Sequence, residues 1–266
     1  MYKKQILLAM LILGIAVQLG FADPIKFKST STDKDGKPLS LTGILTKPEG
    51  DGPFPSIVLL HGCSGPQHSK SRSDSWANRL LSWGYVTLQL DSFGPRNVSN
   101  ICTDIGEIFA MCFTRSQDAY DAKDFLSELP YVDRNRIALM GWSHGGMTVL
   151  TALIKKFIPQ DRQTPFNATI AFYPYCDTYL NNLNAPLLIL IGEADDWTPA
   201  KSCSVSMPQE QPNPEVVVLK IYSGAYHAFD WVDMDEIYEG HRLLYDPIAA
   251  DDAIIQVKSF LSGHLM

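Results

Sequence analysis

Three kinds of side chain in this sequence, taken in chain order, have the chemistry to attack a carbonyl carbon: a serine set between glycines, a cluster of carboxylates, and a loop histidine. The serine is Ser143, in Gly141-Trp142-Ser143-His144-Gly145-Gly146. A G-x-S-x-G pattern has a mechanical reason. The serine must hold a strained backbone at a strand-to-helix turn, and the glycines let neighbouring chain approach without a clash. A serine hydroxyl is a poor nucleophile near neutral pH, so it needs a base, and the base needs an orienting carboxylate. For such an elbow the partners are expected in the order Ser, acid, His. His227, in Tyr226-His227-Ala228-Phe229, follows an apolar run, where a loop imidazole can reach Ser143. His241 and His264 also follow the acids, but His241 is expected to open a helix and His264 lies in the C-terminal tail.

The acid is expected in Gly192-Glu193-Ala194-Asp195-Asp196-Trp197-Thr198-Pro199. Spacing favours Asp195, because it lies between the glycine that ends a strand and the proline that opens a helix. Asp196 is better suited to cap that helix or face water, and Glu193 ranks third. A tetrahedral intermediate also needs two aimed backbone N–H groups. The expected donors are His144, directly after the serine, and Cys63, in His61-Gly62-Cys63-Ser64-Gly65. The His144 side chain is expected to pack beside the elbow and to move no proton.

These residues need elements to hold them. Pro24 to Ser31 and Leu39 to Thr46 read as a hairpin turning at Asp35-Gly36. Ser56–Leu60, Tyr85–Leu90, Arg136–Met140, Ala168–Tyr173, Pro186–Ile191 and Glu215–Ile221 read as further strands, mostly short apolar runs of the kind buried on both faces. Helices are expected over Trp76–Trp83, Arg115–Leu129, from Gly145 through Leu153, and over Ile248–Leu261. The alternation implies an α/β fold, with a mostly parallel central sheet flanked by helices on both faces. Ligands in such sheets bind beyond the carboxyl ends of the strands, and the chemically suggestive segments all fall there.

Composition bounds the setting. Lys3 and Lys4, the apolar run Ile6 to Val17 and the small residues of Gly20-Phe21-Ala22 form an export signal, with cleavage expected after Ala22. Residues 1–22 are thus a signal peptide and 23–266 one domain, periplasmic or secreted, with no stable membrane insertion after cleavage. The net charge of −7 argues against nucleic acid as a partner. No histidine–carboxylate spacing suggests a metal site, and no cofactor is implied. Five cysteines leave at least one unpaired within a single chain. The expected pairs are Cys102–Cys112 and Cys176–Cys203, with Cys63 a buried thiol.

The segments from His61 to Gly65, Asp91 to Arg96, Asp133 to Gly146, Gly192 to Pro199 and Tyr226 to Phe229 together resemble the dienelactone hydrolase family of α/β hydrolases. The resemblance implies an eight-stranded-type hydrolase sheet and a triad of Cys or Ser, Asp and His, falling on Ser143, Asp195 and His227. The family's namesake uses a cysteine nucleophile and is cytoplasmic. With a serine and an export signal, the implied substrate is a small carboxylic ester or lactone rather than dienelactone itself. An acyltransferase or peptidase on the same triad is the alternative, and a non-catalytic binding protein of the same fold a third.

Some residues near the site have two readings each. Arg96 either binds a substrate carboxylate or closes an ion pair with a nearby acid. Residues 97–113 form either a lid or a plain stapled loop. Trp142, Trp197, Tyr226 and Phe229 form either an apolar acyl pocket or simple core. Of these, Arg96, Trp142 and Trp197 are the candidate substrate-binding residues.

Overall fold

A computed structural model describes residues 21–33, 35–158, 162, 164–177, 180–181, 183–207 and 217–266. Apart from Phe21 and Ala22, the expected signal segment lies outside the described residues. Those two residues open β1 (Phe21–Thr32), which folds back antiparallel on β2 (Pro38–Lys47). β2 in turn lies antiparallel to β4 (Val86–Asp91). The remaining strands run parallel to β4: β3 (Phe54–Leu60), β5 (Val132–Trp142), β6 (Ala168–Phe172), β7 (Leu187–Gly192) and β8 (Val217–Tyr222). The order across this eight-stranded sheet is β1-β2-β4-β3-β5-β6-β7-β8.

Every residue of β6 and β7 is buried, so helices or loops cover both faces there. β8, at the edge, has partly buried and exposed positions and buries only Tyr222. The helices are α1 (Gly65–His68), α2 (Lys70–Ser82), α3 (Ile105–Glu128), α4 (His144–Leu153), α5 (Ala200–Ser206) and α6 (Pro247–Leu265). α6 starts where a sequence should start a helix: the Asp246 carboxylate accepts from the N–H groups of Ile248 and Ala249, and Pro247 occupies the first turn. Among the described residues, no helix is long and apolar enough to cross a membrane.

Three local expectations need correction. α3 begins at Ile105, not near Arg115, because the Asp104 side chain caps it by accepting from Glu107 N–H. His241 opens a strand rather than a helix: β9 (Asp235–Tyr238) and β10 (His241–Leu244) form a separate hairpin after His227. Cys102 pairs with Cys63, not with Cys112. The Ile101 N–H donates to the Cys63 carbonyl at 3.0 Å, which brings the two sulfurs together. Cys112, on α3, is carried away into the core as a free thiol. Cys176–Cys203 forms as expected.

Candidate active site

β5 delivers Ser143 to the N-terminus of α4 through a backbone that few residues tolerate, with φ 54° and ψ −117°. The surrounding glycines permit it by close approach. A Cβ on Gly145 would lie 2.2 Å from the Leu60 carbonyl oxygen, and one on Gly141 would lie 2.3 Å from that of Gly145. The elbow is thus wedged between the end of β3 and the start of α4, and the Ser143 N–H is tied to the Phe172 carbonyl at 2.9 Å.

His227 follows β8, and its Nε2 lies 3.1 Å from Ser143 Oγ. Its Nδ1 lies 2.7 Å from Asp195 Oδ2. Asp195 sits in the turn after β7, where it also accepts from the N–H groups of Trp197 (3.0 Å) and Thr198 (2.8 Å), and the Thr198 hydroxyl is 2.9 Å from its Oδ2. Burial by itself would raise the pKa of this carboxyl, but the adjacent His227 and these donors outweigh it and hold the group below its ordinary value. Asp196 points elsewhere: it accepts from Arg242 N–H on the hairpin, at 3.3 Å, and neighbours His241. Glu193 is exposed and accepts from the Ser223 hydroxyl. Thr198 is a partner that the sequence reading missed, although a hydroxyl three residues after an aspartate is a familiar turn signal.

The loop after β3 passes directly beside the serine; a Cβ on Gly62 would stand 3.7 Å from that of Ser143. Cys63 and His144 line the same cavity as Ser143. Beneath them lies a residue that spacing along the chain does not mark out. Arg115, on α3, is fully buried and donates to the His61 carbonyl at 2.7 Å and to His144 Nδ1. His144 Nε2 lies 2.8 Å from the Ile108 carbonyl, so the imidazole is the neutral Nε2–H tautomer, donating there and accepting from Arg115. Burial, with Arg115 alongside, pushes its pKa down to about 3. Burial likewise lowers His61 well below the ordinary histidine value. Arg115, its own pKa lowered to about 10 by burial, remains a cation at neutral pH.

Of the three candidate substrate-binding residues, the structure brings one to the cavity. Trp197 lines it and packs against His227, with ring centroids 5.2 Å apart. Arg96 turns away, forming two hydrogen bonds of 2.8 Å to the buried Asp118 carboxylate. Trp142 is wholly buried, and its Nε1 donates to Asp230 at 2.9 Å, an anchor shared with Trp76 and Tyr173. Tyr226 and Phe229 are also absent from the cavity wall.

The cavity has a volume of about 520 Å³, the size of small-molecule sites generally. One wall is the segment around Cys102 with the first turns of α3, where Ile105, Ile108 and Phe109 face it. Residues 97–113 are therefore not a plain loop; their second half is helix and lines the cavity. The opposite wall includes Glu239 and His241, from the hairpin that the sequence reading missed. Asn100 Nδ2 donates to Tyr238 Oη at 2.7 Å, joining the two walls.

This arrangement has relatives. Protein usf of Aquifex pyrophilus is 23% identical over 241 residues, covering 88% of this chain and 96% of that protein. A dienelactone hydrolase-like promiscuous phosphotriesterase from metagenomic libraries superposes with a TM-score of 0.71 at 20% identity, covering 92% of this chain and 99% of the other. The dienelactone hydrolase of Anabaena variabilis does so with a TM-score of 0.62 at 18% identity, covering 93% and 99%. Both structural likenesses establish an α/β-hydrolase fold. The dienelactone hydrolase family model matches residues 41–265, nearly all of the sheet and every residue of the site, and the chain belongs to that family.

Proposed function

We propose that this protein hydrolyses carboxylic esters or lactones through an acyl-enzyme formed on Ser143. The observation that carries the reading is the continuous chain Ser143 Oγ, His227 Nε2, His227 Nδ1 and Asp195 Oδ2, with links of 3.1 and 2.7 Å, opening on a cavity. Membership of a family named for a lactone-cleaving enzyme supports it.

His227 Nε2 takes the Ser143 proton as Oγ bonds to the substrate carbonyl carbon. The carbonyl π pair moves to oxygen, and the N–H groups of Cys63 and His144 receive that oxyanion. The intermediate collapses, the alkoxide leaves with the proton from His227, and the acyl group remains on Ser143. Water then repeats the sequence, its proton passing to His227 and on to Ser143 as the acid departs. Asp195 holds the imidazole in the tautomer that places its lone pair toward Ser143 and stabilises the imidazolium. For a lactone, the leaving alcohol stays attached to the acyl chain until water releases both.

The same reading makes residues 23–266 one exported domain after removal of the leader. The two disulfides favour an oxidising compartment and so support export.

The test is a stopped-flow assay with a p-nitrophenyl ester. Wild type is expected to show a burst of nitrophenolate, and Ser143→Ala to lose it together with about 10⁴-fold or more in kcat. Undiminished turnover in that variant overturns the proposal.

A further inference from the structure

The charges around the cavity separate this site from one built for a carboxylated substrate. Its walls are largely apolar, with Ile105, Ile108, Phe109, Met147 and Trp197 prominent. Among the described residues, no lysine or arginine lines it. The carboxyl and imidazole groups there are Glu239, His241 and the neutral His144, and Tyr175 adds a phenol.

Four arginines lie close enough to matter, and each is committed elsewhere; Arg242, next to His241 on β10, pairs with Asp235. Arg96 is clamped on Asp118. Arg115 is sealed beneath the elbow. Arg72 donates to the Tyr173 hydroxyl at 3.0 Å and lies 5.1 Å from the rings of both Trp142 and Trp231. It borders only a recess of about 30 Å³ beside Ser143 and His227, which is room for a single water.

The N-terminus of α3 meets the cavity and would by itself favour an anion. Its dipole is already answered, because the Asp104 carboxylate caps it and Glu107 lies in its first turn. On the opposite wall, Glu239 is exposed in the turn between β9 and β10, and His241 beside it stacks on Trp197 and faces Asp196. A substrate carboxylate entering this cavity would lose its water, find no cation, and meet a carboxylate at the mouth. Stripping an unpaired carboxylate of water costs several kcal/mol.

We infer that the cavity selects uncharged, apolar acyl groups and turns away carboxylated ones, with Glu239 as the discriminating side chain. The inference rests on the hydrolytic reading above and specifies the substrate class of that site.

The experiment compares two esters of equal chain length, p-nitrophenyl valerate and mono-p-nitrophenyl glutarate. They differ only in a terminal methyl against a terminal carboxylate. Both are measured at one pH and ionic strength, with the enzyme-free rate subtracted. Wild type is expected to favour valerate by at least about tenfold in kcat/KM. Glu239→Lys is expected to narrow that ratio by about threefold or more, and Glu239→Gln by less, as a charge effect through partly exposed solvent demands. Equal kcat/KM on the two esters in wild type overturns the selectivity. A ratio unmoved by Glu239→Lys overturns the assignment to Glu239. Hydrolysis of neither ester above the enzyme-free rate, or enzyme-dependent hydrolysis that survives Ser143→Ala, overturns the hydrolytic reading and this inference with it.

Discussion

The floor of the site and its walls are built on different principles. The floor, comprising the elbow, the end of β3 and the side chains beneath, is backbone packed on backbone: adding one methyl group to Gly145 or Gly141 would bring carbon within 2.3 Å of a carbonyl oxygen. Its polar groups are buried, and Arg115 and His144 satisfy one another there. The walls are held instead by two discrete ties: the Cys63–Cys102 disulfide fastens one of them to the floor, and the Asn100–Tyr238 hydrogen bond fastens them to each other. Geometry at the floor is over-determined, as a serine held at a strained φ requires, whereas the walls are free to vary in chemistry.

The largest expected effect probes the floor. Gly145→Ala should cost about 3 kcal/mol or more of stability, since the new carbon can be accommodated only by parting β3 from α4. Urea denaturation measures it, and a midpoint close to that of wild type would mean that the floor yields as easily as a wall.

Acid should attack the floor next. His61 and His144 are held neutral in the fold, with pKa values below the ordinary one, so below about pH 6.5 the unfolded chain binds more protons than the folded one. Stability is therefore complete above that value and declines as pH falls toward the folded His144 value of about 3. Chemical denaturation at a series of pH values should show the decline, and His144→Gln should flatten it. An equal slope in that variant would remove His144 from the account.

A smaller effect is expected where floor and wall meet. Cys102→Ser frees the loop that carries the proposed Cys63 amide donor, and should lower kcat on a p-nitrophenyl ester by about tenfold. Cys176→Ser removes a disulfide outside the cavity wall and should cost stability, about 2–4 kcal/mol, with kcat nearly intact. Equal losses of kcat in the two variants would show that the first staple has no special tie to the reaction.

The same division decided what could be read from sequence. The meeting of Ser143, Asp195 and His227 was legible because each follows a short apolar strand, buried for the first two and at the sheet edge for His227, and because the glycines beside Ser143 are there for contacts a few residues away in sequence or at a predictable strand end. The walls were not. β9 and β10 are four residues each and mix charged with apolar side chains, so neither periodicity emerges. The start of α3 did leave a signal, in Asp104 followed three residues later by Glu107, but the aromatic residues around Phe109 and Phe113 hid the helical pattern. The Cys63–Cys102 pair and the orientation of Arg96 depend on how distant segments dock, which spacing along the chain does not encode. Arg115 lies within a correctly expected helix, yet nothing in its sequence neighbourhood says that it points under the elbow.

Cys63 is where the two regions stop being separable. Its sulfur is bonded into one wall while its amide is the donor proposed for the oxyanion, so on that reading substrate scope and rate are inherited as a unit. A wall segment grafted from a relative lacking a cysteine at position 102 would bring its new specificity together with an unstapled oxyanion loop. Diversification of this pocket is thus channelled toward α3 and the hairpin, where side chains can change without touching the staple.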